Sequence, residues 1–159
     1  MNVLFLCTGN SARSILAEAI LNSRDGRQVR AWSGGSRPRA EVHPLALEIL
    51  GTVGMSVEGL HSKHWNEFSR DGAPHMEIVI TLCDQTATEP CPVWPGAPIR
   101  IHWVLTDPGA VTGPRQVQLA AFADTFRILD RRIEALLALP LQFLSADELQ
   151  QQLELLAGN

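Results

Sequence analysis

The sequence predicts an α/β fold, a doubly wound parallel sheet with helices on both faces. Three observations carry that. Short apolar runs alternate with segments whose apolar residues recur at steps of three and four, the order that lays parallel strands side by side and helices against them. The run Glu77-Ile78-Val79-Ile80-Thr81-Leu82 is β-branched and nearly all apolar, as suits a strand buried on both faces. Finally, Cys7, Cys83 and Asp107 stand at or shortly after the ends of such runs, and sites in these sheets form beyond the carboxyl ends of the strands.

The elements follow in order. Val3–Leu6 is the first strand. A helix starts near Arg13 and runs to about Ser23 on Ile15, Leu16, Ala17, Ala19 and Ile20, and the Asp25-Gly26 turn ends it. Val29–Ser33 alternates and predicts a second strand, with Gly34–Pro38 as a loop. Pro44 to Val53 predicts a second helix with proline in its first turn and Gly54 as its stop. Met55–Phe68 is irregular, with a short helix over Trp65–Phe68. After the Glu77–Leu82 strand, Ile99–Trp103 predicts another by alternation, and Thr106–Gly109 is a turn. From Arg115 to Leu139, Leu119, Phe122, Phe126, Leu129, Ile133, Leu136 and Leu137 form one apolar stripe of a long helix that Pro140 closes. Ser145 with Glu148 three residues on opens a last helix to Leu156.

Composition narrows the class. At 159 residues and 45% hydrophobic content, residues 1–159 are expected to form one domain with a core that needs no staples. A net charge of −4 argues against a nucleic-acid partner, so any anion site must be local. The first apolar run is too short for a signal peptide, and no stretch reaches the ~18 apolar residues of a membrane span. These features predict a cytoplasmic protein, off the membrane, acting as a monomer. Cys7, Cys83 and Cys91 are too few and scattered for a disulfide framework, and with dispersed histidines and no Cys-x-x-Cys they predict no metal site.

The chemistry begins at Cys7-Thr8-Gly9-Asn10-Ser11-Ala12-Arg13-Ser14. A strand delivers a cysteine into a loop of small residues, and an arginine stands where a helix begins. Such a loop turns backbone N–H groups inward, and the helix N-terminus adds positive potential. Arg13 supplies a planar fork of donors for an oxyanion. A cation and a helix N-terminus favour the thiolate, the nucleophilic form of Cys7. Ser14 can donate to it, and Asn10 can hold the loop. Asp107, stiffened by Pro108, is placed to act as a general acid. Cys83 and Cys91 flank a polar segment without apolar periodicity, which can carry a thiol toward Cys7 and away again.

Cys7 to Ser14 resembles the phosphate loop of the low-molecular-weight protein tyrosine phosphatase superfamily. Thr81-Leu82-Cys83-Asp84, Cys91-Pro92, His102-Trp103 and Asp107-Pro108 resemble its arsenate reductase branch. The resemblance spans nearly the whole chain and implies a four-stranded parallel sheet flanked by helices. It also implies roles. Cys7 is the nucleophile, and Thr8 to Ser14 bind the oxyanion and stabilise the thiolate. Arg13 is the clamp, Asp107 the general acid, and Cys83 and Cys91 relay a disulfide to an external thiol reductant. That reductant is thioredoxin, or glutathione with glutaredoxin, with no bound cofactor. The substrate is arsenate, with phosphate or sulfate as mimics. Many relatives carry a cysteine where Ala12 stands. Some bind a monovalent cation near Asn10, Glu18 and Ser33, where Lys63 is expected to substitute here.

The rival reading is a phosphatase acting on phosphotyrosine or small phosphate esters with the same Cys7, Arg13 and Asp107. Against it, Gly109-Ala110-Val111 follow Pro108 where flanking aromatics would be needed, and the chain has no tyrosine. A non-catalytic anion sensor would not need two further cysteines. Arg37 and Arg39 are expected in a solvated loop.

Overall fold

The computed structural model describes residues 1–24, 28–83, 88–90 and 92–158. Four parallel strands form one sheet in the order β2-β1-β3-β4: β1 (Asn2–Leu6), β2 (Arg30–Gly34), β3 (Ile78–Thr81) and β4 (Ile99–His102). In register, Val3 stands beside Ala31 and Ile78, and Ile78 beside Ile99. The helices are α1 (Arg13–Arg24), α2 (Pro44–Thr52), α3 (Arg115–Leu137) and α4 (Ala146–Ala157).

Strand alternation divides the interior into two cores. Val3, Phe5, Ile78, Ile80 and Ile101 face one way, where they meet Leu16 and Ile20 of α1, Leu50 of α2, Phe122 and Leu129 of α3 and Leu153 of α4. Leu4, Leu6 and Val79 face the other way and pack on Trp65, Phe68, Met76 and Trp94. Both faces therefore have helical cover, but unequally: among the described residues, α1 to α4 serve the first core, and a 3-10 helix over Trp65–Ser69 with the Trp94 segment serves the second.

Boundaries differ from the sequence reading by one or two residues. β2 includes Gly34, expected in the loop, because Gly34 pairs with Leu6 and its carbonyl accepts the Cys7 N–H at 3.2 Å. The α3 ladder stops at Leu137, with Ala138 as its cap. Thr106–Gly109 resolves into a 3-10 turn, Pro108–Ala110, whose N-cap is Asp107. The Ser145–Glu148 capping box is present. The Asp25-Gly26 turn, Asp84 and Cys91 lie outside the described residues. Among the described residues no helix is long and apolar enough to cross a membrane.

Candidate active site

β1 ends at Leu6, and Cys7 to Ala12 curl over the sheet rim into α1. What shapes this loop is a strap, residues 37–43, whose backbone N–H groups hold its carbonyls. Arg37 donates to Thr8 O at 3.0 Å, Arg39 to Gly9 O at 2.9 Å and His43 to Ser11 O at 2.9 Å. In a trans peptide the N–H opposes the preceding C=O. The carbonyls of Thr8 and Ser11 thus turn outward, and the N–H groups of Gly9 and Ala12 turn the other way. Asn10 has φ +40, a left-handed conformation that asparagine tolerates and that helps form an anion-binding nest. Gly35 lies so close behind that a Cβ there would stand 2.5 Å from Thr8 O and 2.8 Å from Cys7 O.

A cavity of about 190 Å³ opens over the loop, lined by Cys7, Thr8, Gly9, Ser11, Ala12, Arg13, Arg37, Arg39, His43, Asp107 and Gly109. Arg13 is anchored from β4's side, with Nη1 donating to Leu105 O at 3.0 Å and Nη2 3.4 Å from Asp107 Oδ2. Its Nε is buried and has no hydrogen-bond partner among the described residues, a donor that an oxyanion would satisfy. Asp107 Oδ1 accepts the Gly109 N–H at 3.0 Å.

Behind the cavity a chain of hydrogen bonds fixes the thiol. Cys7 Sγ lies 2.9 Å from Ser14 Oγ. Asn10 Nδ2 donates to Ser14 Oγ at 2.8 Å and to Ser33 Oγ at 2.9 Å. Because Ser14 Oγ accepts from Asn10, its own hydrogen is left for the sulfur. Ser33 donates in turn to Glu18 Oε2. Lys63 closes the chain: its backbone N–H donates to Asn10 Oδ1 at 2.8 Å, and its Nζ reaches Glu18 Oε2 and Ser33 Oγ at 3.3 Å and His61 O at 3.0 Å. The ammonium stands among oxygen donors, at the place where the resemblance puts a cation in some relatives.

Cys83 is buried at the end of β3, its Sγ 3.3 Å from Thr8 Oγ1. Nearby, Thr81 Oγ1 is 2.8 Å from His102 Nδ1. The fold thus brings Cys7, Arg13, Asp107 and Cys83 to one rim, with Asn10 and Ser14 just beneath the cavity. Arg37 and Arg39 are exposed as expected, but they also edge the mouth. His43 was not singled out from the sequence. Burial and the Arg39 charge hold its imidazole below the usual pKa against the opposing pull of Asp107. Only its place before Pro44, as a helix cap, hinted at it.

Fold and site together define an α/β protein with a Cys-x5-Arg-Ser loop at the carboxyl rim of a parallel sheet, its cysteine and arginine lining one cavity. The chain belongs to the low molecular weight phosphotyrosine protein phosphatase family, which matches residues 2–153. It is 30% identical over 120 residues to the arsenate reductase of Bacillus subtilis strain 168, covering 76% of this chain and 83% of that one. Among solved structures, an arsenate reductase in the oxidised state superposes with a TM-score of 0.68 at 27% identity, over 84% of this chain and 93% of that one. A thioredoxin-dependent arsenate reductase of Corynebacterium glutamicum gives a TM-score of 0.55 at 28% identity over 84% of this chain. The match spans 61% of that longer chain.

Proposed function

We propose that the protein reduces arsenate to arsenite by a cysteine relay, at the expense of an external dithiol. One observation carries the choice of reduction over hydrolysis: a second buried thiol, Cys83, has its sulfur 3.3 Å from the hydroxyl of Thr8, the residue after Cys7. Hydrolysis of a thiol adduct needs water at that point, and reduction needs a thiol.

The steps balance as follows. Arsenate settles on the loop N–H groups and the Arg13 fork. Cys7 thiolate attacks arsenic, an S–As bond forms, and an arsenate hydroxyl group departs as water after taking a proton from Asp107. Cys83 thiolate then attacks Cys7 Sγ. A disulfide forms, and the S–As electron pair stays on arsenic, which leaves as arsenite in the trivalent state. Cys91 attacks Cys83, freeing Cys7 as thiolate and leaving a Cys83–Cys91 disulfide. An external dithiol reduces that bond, in each case by thiolate attack. Thr8 holds Cys83 beside the loop, and Ser14, with Asn10 behind it, stabilises the Cys7 thiolate. Thioredoxin is the reductant we favour, in keeping with the thioredoxin-dependent relative, and glutathione with glutaredoxin is the alternative. Such thiol chemistry suits the reducing cytoplasm.

The test supplies arsenate, thioredoxin, thioredoxin reductase and NADPH and follows NADPH oxidation by wild type and by Cys83→Ser. Arsenate-dependent oxidation by wild type, lost in the variant, is expected. Phosphate-ester hydrolysis without arsenate turnover by wild type would overturn the reading in favour of a phosphatase. Replacing thioredoxin by glutathione and glutaredoxin identifies the reductant.

A further inference from the structure

A helix N-cap needs one short acceptor, and Ser, Thr, Asp and Asn ordinarily supply it. In α2 the cap is an imidazole: His43 Nδ1 accepts the Leu45 N–H at 3.2 Å. A ring nitrogen that accepts carries no proton, so the hydrogen of the neutral ring is on Nε2. The ring is fixed in place. Its centroid is 4.5 Å from that of Phe122, and the His43 backbone N–H is tied to Ser11 O of the anion loop. The cap therefore sets both the tautomer and the orientation.

His43 lines the cavity together with Cys7, Arg13 and Asp107, and the ring edge opposite Nδ1 lies toward Gly109, another residue of that lining. On that edge, Cδ2 lies 3.8 Å from where a Cβ on Gly109 would stand, and Gly109 is the residue whose N–H holds Asp107 Oδ1. Nε2, next to Cδ2 in the ring, makes no hydrogen bond among the described residues. A Ser or Asn cap would satisfy Leu45 equally and would have no second donor to present there.

We propose that His43 is a substrate-binding residue of the same reaction, presenting Nε2–H to the outer oxygen of the bound oxyanion, the oxygen that Asp107 protonates as it departs. Arg13 and the loop N–H groups hold the oxygens near Cys7, and His43 holds the one on the Asp107 side. A fixed donor there stabilises charge developing on the leaving oxygen. This rests on reading the Cys7 cavity as an oxyanion site.

The test uses His43→Asn, which keeps a good cap and removes the long-reaching donor, and His43→Asp, which keeps the best cap and places a carboxylate in the strap. Inorganic phosphate binding is measured by calorimetry, arsenate kcat and KM in the coupled assay, and thermal stability by circular dichroism. One charge-assisted hydrogen bond predicts a phosphate Kd about tenfold higher for His43→Asn, an arsenate kcat/KM lowered at least as much, and an unchanged midpoint. His43→Asp should bind more weakly still. Unchanged Kd and kcat/KM in folded His43→Asn or His43→Asp would overturn the proposal. Failure of wild type to bind phosphate at all would instead overturn the oxyanion reading of the cavity.

Discussion

Lys63 offers a quantitative test of how the anion loop is held. Its side chain is 6% exposed and that of Glu18 is 12% exposed, with Nζ 3.3 Å from Oε2. At that separation and an effective dielectric of about 20, the attraction is about 5 kcal/mol before desolvation is charged against it. Lys63→Met leaves the Glu18 carboxylate buried without its cation, and breaking such a pair costs about 3–5 kcal/mol. For a domain of this size, where each kcal/mol moves the midpoint by about 2–4 °C, that is a fall of about 6–20 °C. Removing both charges in Lys63→Met with Glu18→Gln removes the buried charge itself, so the double variant should be more stable than the Lys63→Met single variant. Urea unfolding and thermal unfolding, both followed by tryptophan fluorescence, read the free energies and the midpoint shifts. Lys63→Ala should also regain stability in potassium salts relative to choline, because the oxygens of Glu18, Ser33 and the His61 carbonyl that contact the ammonium are then left without a cation. A loss below about 1 kcal/mol in Lys63→Met, or a double variant equal to the sum of the singles, would refute a coupled buried pair.

Three further outcomes are expected. Gly35→Ala places a Cβ 2.5 Å from Thr8 O and 3.0 Å from Asn10 N, both backbone; it should abolish phosphate binding by calorimetry and cost about 1–3 kcal/mol in urea unfolding. Thr8→Val removes the hydroxyl beside Cys83 at nearly constant volume; arsenate turnover should fall more than phosphate-ester hydrolysis, and Thr8→Ser should restore much of it. For pH, the folded pKa of His43 lies below its ordinary 6.5, so on acidification the unfolded chain takes up that proton first. The stability this group contributes is whole above about 6.5 and is lost as pH falls toward the folded value; urea midpoints from about pH 8 to about 5.5 should decline, and His43→Asn should flatten that slope.

The sheet and its rim were legible in the sequence because the strands are short, apolar and separated by helical periodicity. Ile78 to Thr81 is buried on both faces, so its pattern survives without reference to any partner. The α3 stripe was legible in the same way, yet the same buried face also carries Thr125 and Arg132, which periodicity alone passes over. Arg132 is tolerated there because its Nη2 donates to Ala157 O at 2.9 Å and its guanidinium lies over Trp103. The Cys7 loop was legible because nucleophile, small residues and clamp are contiguous. What could not be read was everything fixed by the strap: that residues 37–43 take the loop carbonyls, that His43 enters the cavity as a cap, and that Lys63 completes the network behind Asn10. Those contacts join residues 29 to 53 positions apart, and no local pattern announces them.

The same strap explains how one loop serves either of two chemistries. The carbonyls of Thr8, Gly9 and Ser11 are held by the backbone N–H groups of Arg37, Arg39 and His43, so on the function proposed above the loop selects tetrahedral oxyanions without selecting a reaction. Once Cys7 is bonded to the substrate atom, the outcome depends on which nucleophile arrives next. A phosphorus adduct can only be released by water, because phosphorus does not readily accept the electron pair of its bond to sulfur. Arsenic does accept it, provided a second thiolate can reach Cys7 in line. Thr8 therefore has two duties that are separable by mutation: its backbone builds the anion cradle, and its hydroxyl holds Cys83. A variant that keeps the first and loses the second should convert a reductase toward a slow phosphatase, and the ratio of the two activities, more than either alone, measures how far the second thiol decides the reaction.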